Sequence, residues 1–246
     1  MVTIHTNNLN IMNNSTAPVP IGNTEFGFDN HNPDNIQSPD TINVVFVVDN
    51  SSSVSGFSDA MEKAFNDMKN NLKKSHVREQ IFFSTVVFNH EIISQTGFQP
   101  IESVADVVFN CGGSTALYRS AKMAMNNALS YRTTLEDNGI NCKTLFFIIT
   151  DGEDTEGGAG EAYAAEVKKM IDGLMVEERN FGSFTSILFG VGSDTNSFET
   201  AQKLMGIQQL ALLSSSPEDV RKMIAFISTS ISSTAMGGPA VSTANF

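Results

Sequence analysis

The chain of 246 residues has no tryptophan, two cysteines and few basic side chains. The cysteines, Cys111 and Cys142, are too few for a disulfide framework and favour a reducing compartment. Lys and Arg number 15 against 27 Asp and Glu, which gives a net charge of -12. This balance argues against nucleic acid as a partner, because phosphate contacts need a basic surface.

Long apolar stretches are also missing. No run is long enough to cross a bilayer, so we expect no membrane partner. The first residues lack the basic and apolar regions of a secretory signal, which predicts a cytoplasmic protein unless it leaves by a route that reads no N-terminal signal. The hydrophobic content of 41% and the length nevertheless suffice for one domain with a sizeable core.

Composition divides the chain into three parts. Residues 1–40 are rich in asparagine, hold most of the prolines and contain no Lys or Arg. Such a segment buries little apolar surface, which predicts a flexible arm, with Phe26 and Phe28 as candidates for docking on the domain or on a partner. Residues 41–232 are predicted to form a single domain, and the small, polar residues 233–246 a flexible tail.

Within the domain, predicted strands alternate with predicted helices. The strand at 91–95 follows a tight turn at Asn89 and His90, so we expect it to be antiparallel. The alternation predicts an α/β fold, namely a Rossmann-like, doubly wound, mostly parallel six-stranded sheet with one short antiparallel edge strand and helices on both faces. The predicted strands are 42–49, 79–89, 91–95, 143–152, 184–192 and 208–215; the predicted helices are 56–75, 116–135, 161–178, 197–205 and one from 216.

Side chains with polar oxygens follow several of these strands. Asp49, Ser51 and Ser53 alternate after the first strand, so a locally extended loop would point all three the same way. Thr115 follows two glycines and precedes a helix, and Asp151 ends the fourth strand. Ligands of such sheets bind outside the carboxyl ends of the strands. Oxygen ligands of this kind suit a hard cation such as Mg²⁺.

The DxSxS motif after the first strand, Thr in GGSTAL and Asp in TDGE together resemble a von Willebrand factor A domain over about Ile42 to Ser232. The resemblance is closest to single-domain forms of bacteria and their phages, and it implies a metal-ion-dependent adhesion site. It implies Mg²⁺, with Mn²⁺ and Ca²⁺ as alternatives. By this resemblance three hydroxyls bind the metal and two carboxylates bind it directly or through water; the residues are Ser51, Ser53 and Thr115, and Asp49 and Asp151.

The resemblance implies an interaction module and no enzyme. In the family, an Asp or Glu of a protein partner often completes the metal coordination. A role as adaptor of an AAA+ ATPase, or in a bacterial or phage stress or assembly complex, fits this pattern. Many bacterial members have Gly between the two motif serines, where this chain has Ser52; the difference removes no ligand.

Other interpretations stay open at this point. A strand-terminal Asp followed by serines is often only an N-cap. A metal-dependent phosphohydrolase would need a second Asp where Ser51 stands, and no general base is evident. A structural protein, assembled as a homo-oligomer through its terminal arms, is a further alternative. The acidic loop formed by Glu153, Asp154 and Glu156 is expected to be a solvated edge.

Overall fold

The structure, a computed structural model, describes residues 27–176, 182–238 and 242–243. The expectations for residues 1–26 and for most of the tail after 238 therefore lie outside the described residues. The strands are β1 (Asp40–Asp49), β2 (Ile81–Phe88), β3 (Ile92–Pro100), β4 (Asn141–Thr150), β5 (Phe184–Val191) and β6 (Gln209–Leu213). The α-helices are α1 (Ser58–Leu72), α2 (Leu117–Asp137), α3 (Gly158–Val176), α4 (Thr195–Met205) and α5 (Pro217–Ala235).

The six strands form one sheet in the order β3-β2-β1-β4-β5-β6, and the predicted α/β fold is confirmed. All neighbours are parallel except β2 and β3. The antiparallel strand is longer than the predicted 91–95, because pairing continues to Pro100 opposite Phe82. Polar residues such as Gln95 and Gln99 break the apolar pattern there, so the sequence shows only the start of this strand.

The sheet has a hydrophobic core on each face. Residues of β1 are buried from Thr41 to Asp49, as expected for a central strand covered on both sides. Side chains of α1 and α5 complete the core on one face, and those of α2, α3 and α4 complete the other. Among the described residues, no helix is long and apolar enough to span a membrane.

The segment 27–39 packs against the domain, which differs from the flexible arm expected for residues 1–40. The amide of His31 donates to the carbonyl oxygen of Phe98 at 2.8 Å, and the amide of Phe98 donates to Oδ1 of Asn30 at 2.7 Å. Phe28 and Ile36 contact the core beneath α2. Phe28 therefore docks on the domain, which is one of the two docking surfaces predicted for it. The main-chain edge of β3 and these apolar contacts stabilise a segment whose composition alone indicates no structure.

Candidate metal-ion site

Asp49 ends β1 at the carboxyl edge of the sheet and is 1% exposed. Its Oδ1 accepts a 2.8 Å hydrogen bond from the amide of Ser51, and its Oδ2 accepts one of 2.7 Å from the hydroxyl of Thr150. Thr150 is the last residue of β4, the parallel neighbour of β1. The orientation of the carboxylate is thus fixed by hydrogen bonds from the end of β4 and from the loop after β1.

A chain of hydrogen bonds joins the serines to the second carboxylate. The hydroxyls of Ser51 and Ser53 lie 3.0 Å apart, and the hydroxyl of Ser53 donates to Oδ1 of Asp151 at 2.8 Å. The expected extended loop is wrong, because residues Ser52–Gly56 form a 3₁₀ helix. Ser51 occupies the N-cap position of that helix and makes no side-chain cap hydrogen bond, so its hydroxyl is left to contact Ser53.

Thr115 is brought to this edge by a loop that three neighbours hold. Its amide donates to Oγ1 of Thr155 at 3.1 Å, and its carbonyl oxygen accepts from the Thr155 hydroxyl at 2.9 Å. On the other side, the amide of Ser52 donates to the carbonyl oxygen of Gly113 at 3.1 Å. Asn89 follows β2 and donates through Nδ2 to the carbonyl oxygen of Gly112. The loops after β1, β2 and β4 therefore meet around Thr115.

Burial makes both carboxylates harder to ionise than they would be in water. Burial raises the pKa of Asp49 above its usual range, although its hydrogen bonds oppose the shift. Burial also raises the pKa of Asp151, and the charge of Asp49 adds to it. Among the ion pairs of the described residues, none involves either carboxylate. The site therefore concentrates negative charge that its own basic side chains leave uncompensated.

These donors fit a hard divalent cation. Mg²⁺ prefers oxygen ligands, and the site offers carboxylate and hydroxyl oxygens on short, hydrogen-bonded loops. The described residues contain no group of three or more His, Cys, Asp and Glu side chains placed to hold an ion. A site with two carboxylates and several hydroxyls does not depend on such a group. The candidate ligands remain those named from the sequence: Asp49, Ser51, Ser53, Thr115 and Asp151.

The acidic loop after β4 is more than the solvated edge that its composition suggests. Oδ1 of Asp154 accepts from the amide of Tyr118 at 3.1 Å, in the first turn of α2. Glu156 forms an ion pair of 3.1 Å with Arg119. Both acids are half-buried, whereas Glu153 is exposed and fits the expectation. The loop thus attaches the start of α2, and with it Thr115, to the end of β4.

Sequence reasoning missed the residues that hold the candidate ligands in place. Thr150 adjoins Asp151 in the TDGE motif, and this position next to a candidate ligand could have indicated its role. Thr155, Asn50 and Asn89 lie in irregular loops, where no periodicity marks a positioning role. Asn50 donates through Nδ2 to the carbonyl oxygen of Asn110 at 3.2 Å and so connects two site loops.

Comparison with known families identifies the fold of the chain. The family model described as von Willebrand factor type A domain matches residues 43–209, which is most of the chain. The chain belongs to this family. All five candidate ligands of this von Willebrand factor type A (VWA) domain lie within the matched range. A search of curated proteins by sequence finds no match.

Solved structures share the fold of this VWA domain at low sequence identity. A mutant of the PilB minor pilin from Streptococcus sanguinis matches with 15% identity and a TM-score of 0.53, covering 83% of this chain and 65% of the pilin. The pilus adhesin SpaC from Lactobacillus rhamnosus GG matches with 10% identity and a TM-score of 0.58, covering 78% of this chain and 30% of the adhesin. The chain spans less than two thirds of the length of either protein.

Proposed function

We propose that this VWA domain is a Mg²⁺-dependent protein-interaction module that binds a carboxylate of a protein partner. The observation that carries the proposal is the buried Asp49, which accepts hydrogen bonds from Thr150 and Ser51. The hydroxyls of Ser51 and Ser53 continue this network to Asp151, and neither carboxylate has an ion-pair partner among the described residues. The ligand set would be Asp49, Ser51, Ser53, Thr115 and Asp151. A bound cation would supply a positive charge to which an Asp or Glu of the partner can bind.

The residues of the chain support this function in two ways. The neutral hydroxyls of Ser51, Ser53 and Thr115 add ligand oxygens without adding charge. A cation held this way keeps more of its attraction for an incoming carboxylate than one surrounded by acids. Ser53 is exposed although Asp49 and Ser51 are buried, so the site is open toward solvent on one side.

The alternatives receive less support. VWA domains are generally interaction modules, which favours binding over phosphate hydrolysis. The phosphohydrolase hypothesis lacks its second Asp, because Ser51 stands there. Assembly through the terminal arms, a homo-oligomer, an AAA+ ATPase as partner, a bacterial or phage complex and a cytoplasmic location stay predictions.

The test is calorimetric titration of Mg²⁺ into the full chain and into two serine variants. Ser53→Ala removes a proposed ligand and a hydrogen bond to Asp151. Ser52→Ala changes the adjacent exposed serine, which stands outside the ligand set and serves as the matched control. We expect wild type and Ser52→Ala to bind Mg²⁺ alike and Ser53→Ala to bind it clearly more weakly.

Partner binding is tested on the same proteins by capture from the host lysate with Mg²⁺ or with EDTA. A partner retained by metal-loaded wild type and by Ser52→Ala, and lost with EDTA or after Thr115→Ala, would support the proposed function. Wild type without measurable affinity for Mg²⁺, Mn²⁺ or Ca²⁺ would refute metal dependence. Equal capture under all conditions would move the interaction away from this site.

A further inference from the structure

Residues Val104–Cys111, called the strap below, cross from the end of β3 toward the site loop. The strap forms neither helix nor strand, so no regular main-chain pairing fixes its position. Val107, Phe109 and Cys111 pack against the core on the α1 face, while the residues between them are exposed. The alternation shows an extended segment lying on the domain with one side inward.

A row of polar side chains on α1 binds the main chain of the strap. Asn66 makes two hydrogen bonds to Val107: its Oδ1 accepts from the amide at 3.0 Å, and its Nδ2 donates to the carbonyl oxygen at 3.1 Å. Oε2 of Glu62, one turn earlier, accepts from the amide of Phe109 at 3.1 Å. Residues at this spacing share one helical face. The polar side chains on that face of α1 therefore bind successive main-chain groups of the strap.

The same row continues toward the beginning of the strap. Lys69 is 1% exposed and forms an ion pair with Asp106. Lys73 donates through Nζ to the carbonyl oxygen of Val104 at 2.9 Å. A buried ammonium group requires a partner, which makes the position of the strap on the helix costly to change.

The far end of the strap passes directly into the candidate site. Asn110 accepts from Nδ2 of Asn50, next to Asp49, and the amide of Gly112 donates to the carbonyl oxygen of Asn50 at 3.0 Å. Thr115 follows after a short glycine-containing turn. A shift of the strap along α1 would therefore also move the loop that carries Thr115.

We infer that Asn66 is a positioning residue for the metal-ion site, acting from α1 through the strap. Glu62, Lys69 and Lys73 assist it along the same face. The inference rests on the proposed function, since it takes Thr115 as a ligand. Asn66 itself lies outside the ligand set, and its effect on the ion passes through the main chain of Val107 and the residues that follow.

The test compares Asn66→Ala with Asn70→Ala. Asn70 lies one turn further along α1, is exposed, and its side chain makes no hydrogen bond to the described residues, so it controls for the change of residue type. We expect Asn66→Ala to weaken Mg²⁺ binding by about threefold to tenfold, and Asn70→Ala to leave it unchanged. Affinity is measured by calorimetry at a temperature where every variant is fully folded by near-ultraviolet circular dichroism.

Hydrogen exchange followed by NMR supplies a readout that needs no metal. Asn66→Ala is expected to speed exchange at Val107 and also at the amides of Gly112 and Thr115. Faster exchange confined to Val107, with unchanged Mg²⁺ affinity, would overturn the inference. If wild type binds no Mg²⁺, the proposed function fails, and exchange at Gly112 and Thr115 alone decides whether α1 positions the loop.

A second pair of variants covers the case in which Asn66→Ala does not fold. Glu62→Gln keeps an oxygen that can accept from the amide of Phe109, whereas Glu62→Ala removes it. We expect Glu62→Gln to match wild type in Mg²⁺ affinity and in Gly112 exchange, and Glu62→Ala to show the loss. Equal behaviour of the two variants would contradict a positioning role for this row of side chains.

Discussion

The hydroxyl of Thr150 donates a 2.7 Å hydrogen bond to Oδ2 of Asp49 and joins the ends of two neighbouring strands. The other carboxylate oxygen accepts from the amide of Ser51 at 2.8 Å. An asparagine could keep both contacts, because its oxygen accepts from Ser51 and its NH₂ group can donate to the Thr150 hydroxyl. The charge of Asp49 can therefore be removed while its hydrogen bonds stay in place.

For Asp49→Asn we expect a metal-free melting temperature equal to or above that of wild type, because a buried charge without a basic partner is lost. We also expect Mg²⁺ no longer to raise the melting temperature, because a charged ligand is missing. Calorimetric melting in EDTA and in Mg²⁺ measures both effects. Asp137→Asn, an exposed acid at the end of α2, should keep the response to Mg²⁺. Equal Mg²⁺ stabilisation of Asp49→Asn and wild type would exclude Asp49 as a ligand.

The two free cysteines should differ in reactivity and in pH dependence. Burial raises the pKa of Cys142 to about 11. Partial burial raises the pKa of Cys111, and the charges of Asp49 and Asp151 add to it. Because the thiolate is the reactive form, alkylation of Cys111 should be slow at neutral pH and accelerate as pH rises. Cys142 should stay unmodified in the folded chain.

Iodoacetamide labelling followed by mass spectrometry at several pH values checks this difference. Cys111→Ser should leave no thiol that reacts before unfolding. Labelling of Cys142 at a rate comparable to that of Cys111 would show that the core beneath α2 opens more readily than its burial indicates.

Gly97 in β3 leaves room for the segment 27–39. A Cβ atom at this position would lie 2.2 Å from the carbonyl oxygen of Asp29. Gly97→Ala should therefore displace the segment, speed hydrogen exchange at His31 and lower the free energy of unfolding by about 1–3 kcal/mol. Gly173→Ala is the control, because a Cβ in α3 meets nothing within 4 Å. Unchanged exchange at His31 would mean that the segment is held elsewhere.

Asn43 is a buried polar residue in the middle of β1. It is fully buried, and neither Oδ1 nor Nδ2 has a hydrogen-bond partner among the described residues. Replacing it with valine removes unsatisfied polar atoms from a strand position that favours β-branched residues. Asn43→Val should raise the free energy of unfolding by about 1–3 kcal/mol in urea denaturation. A loss of stability would indicate that ordered water satisfies the amide.

Much of the fold follows from local pattern. Continuous apolar runs identified β1 and β4, and Ser216 with Pro217 marked the start of α5, where the Ser216 hydroxyl accepts from the amide of Asp219. The later half of β3 carried no such pattern, because an edge strand there is polar and contains Gly97. Its extent depends on pairing with β2, which is a tertiary contact.

The candidate ligands could be named because strand ends and loop motifs are short and local. The residues that hold these candidate ligands in place could not be named, because they act through contacts between residues distant in sequence. Thr155 meets Thr115 only after α2 and β4 have folded between them. Asn66 and Val107 are likewise separated by two strands. Local motifs therefore suffice to name candidate ligands, whereas the contacts that support those residues depend on the tertiary fold.

The reversed direction of β3 determines how much spare length the chain has near the site. β3 ends opposite Phe82, at the amino-terminal edge of the sheet, so the chain must travel back along the whole domain to reach Thr115. The eight residues of β2 rise about 26 Å, whereas residues 101–114, which make the return, could span about 46–50 Å when fully extended. The connection therefore has length to spare. Its course is set by the contacts of the strap with α1, so a change of one residue in its length should be tolerated where those contacts are kept.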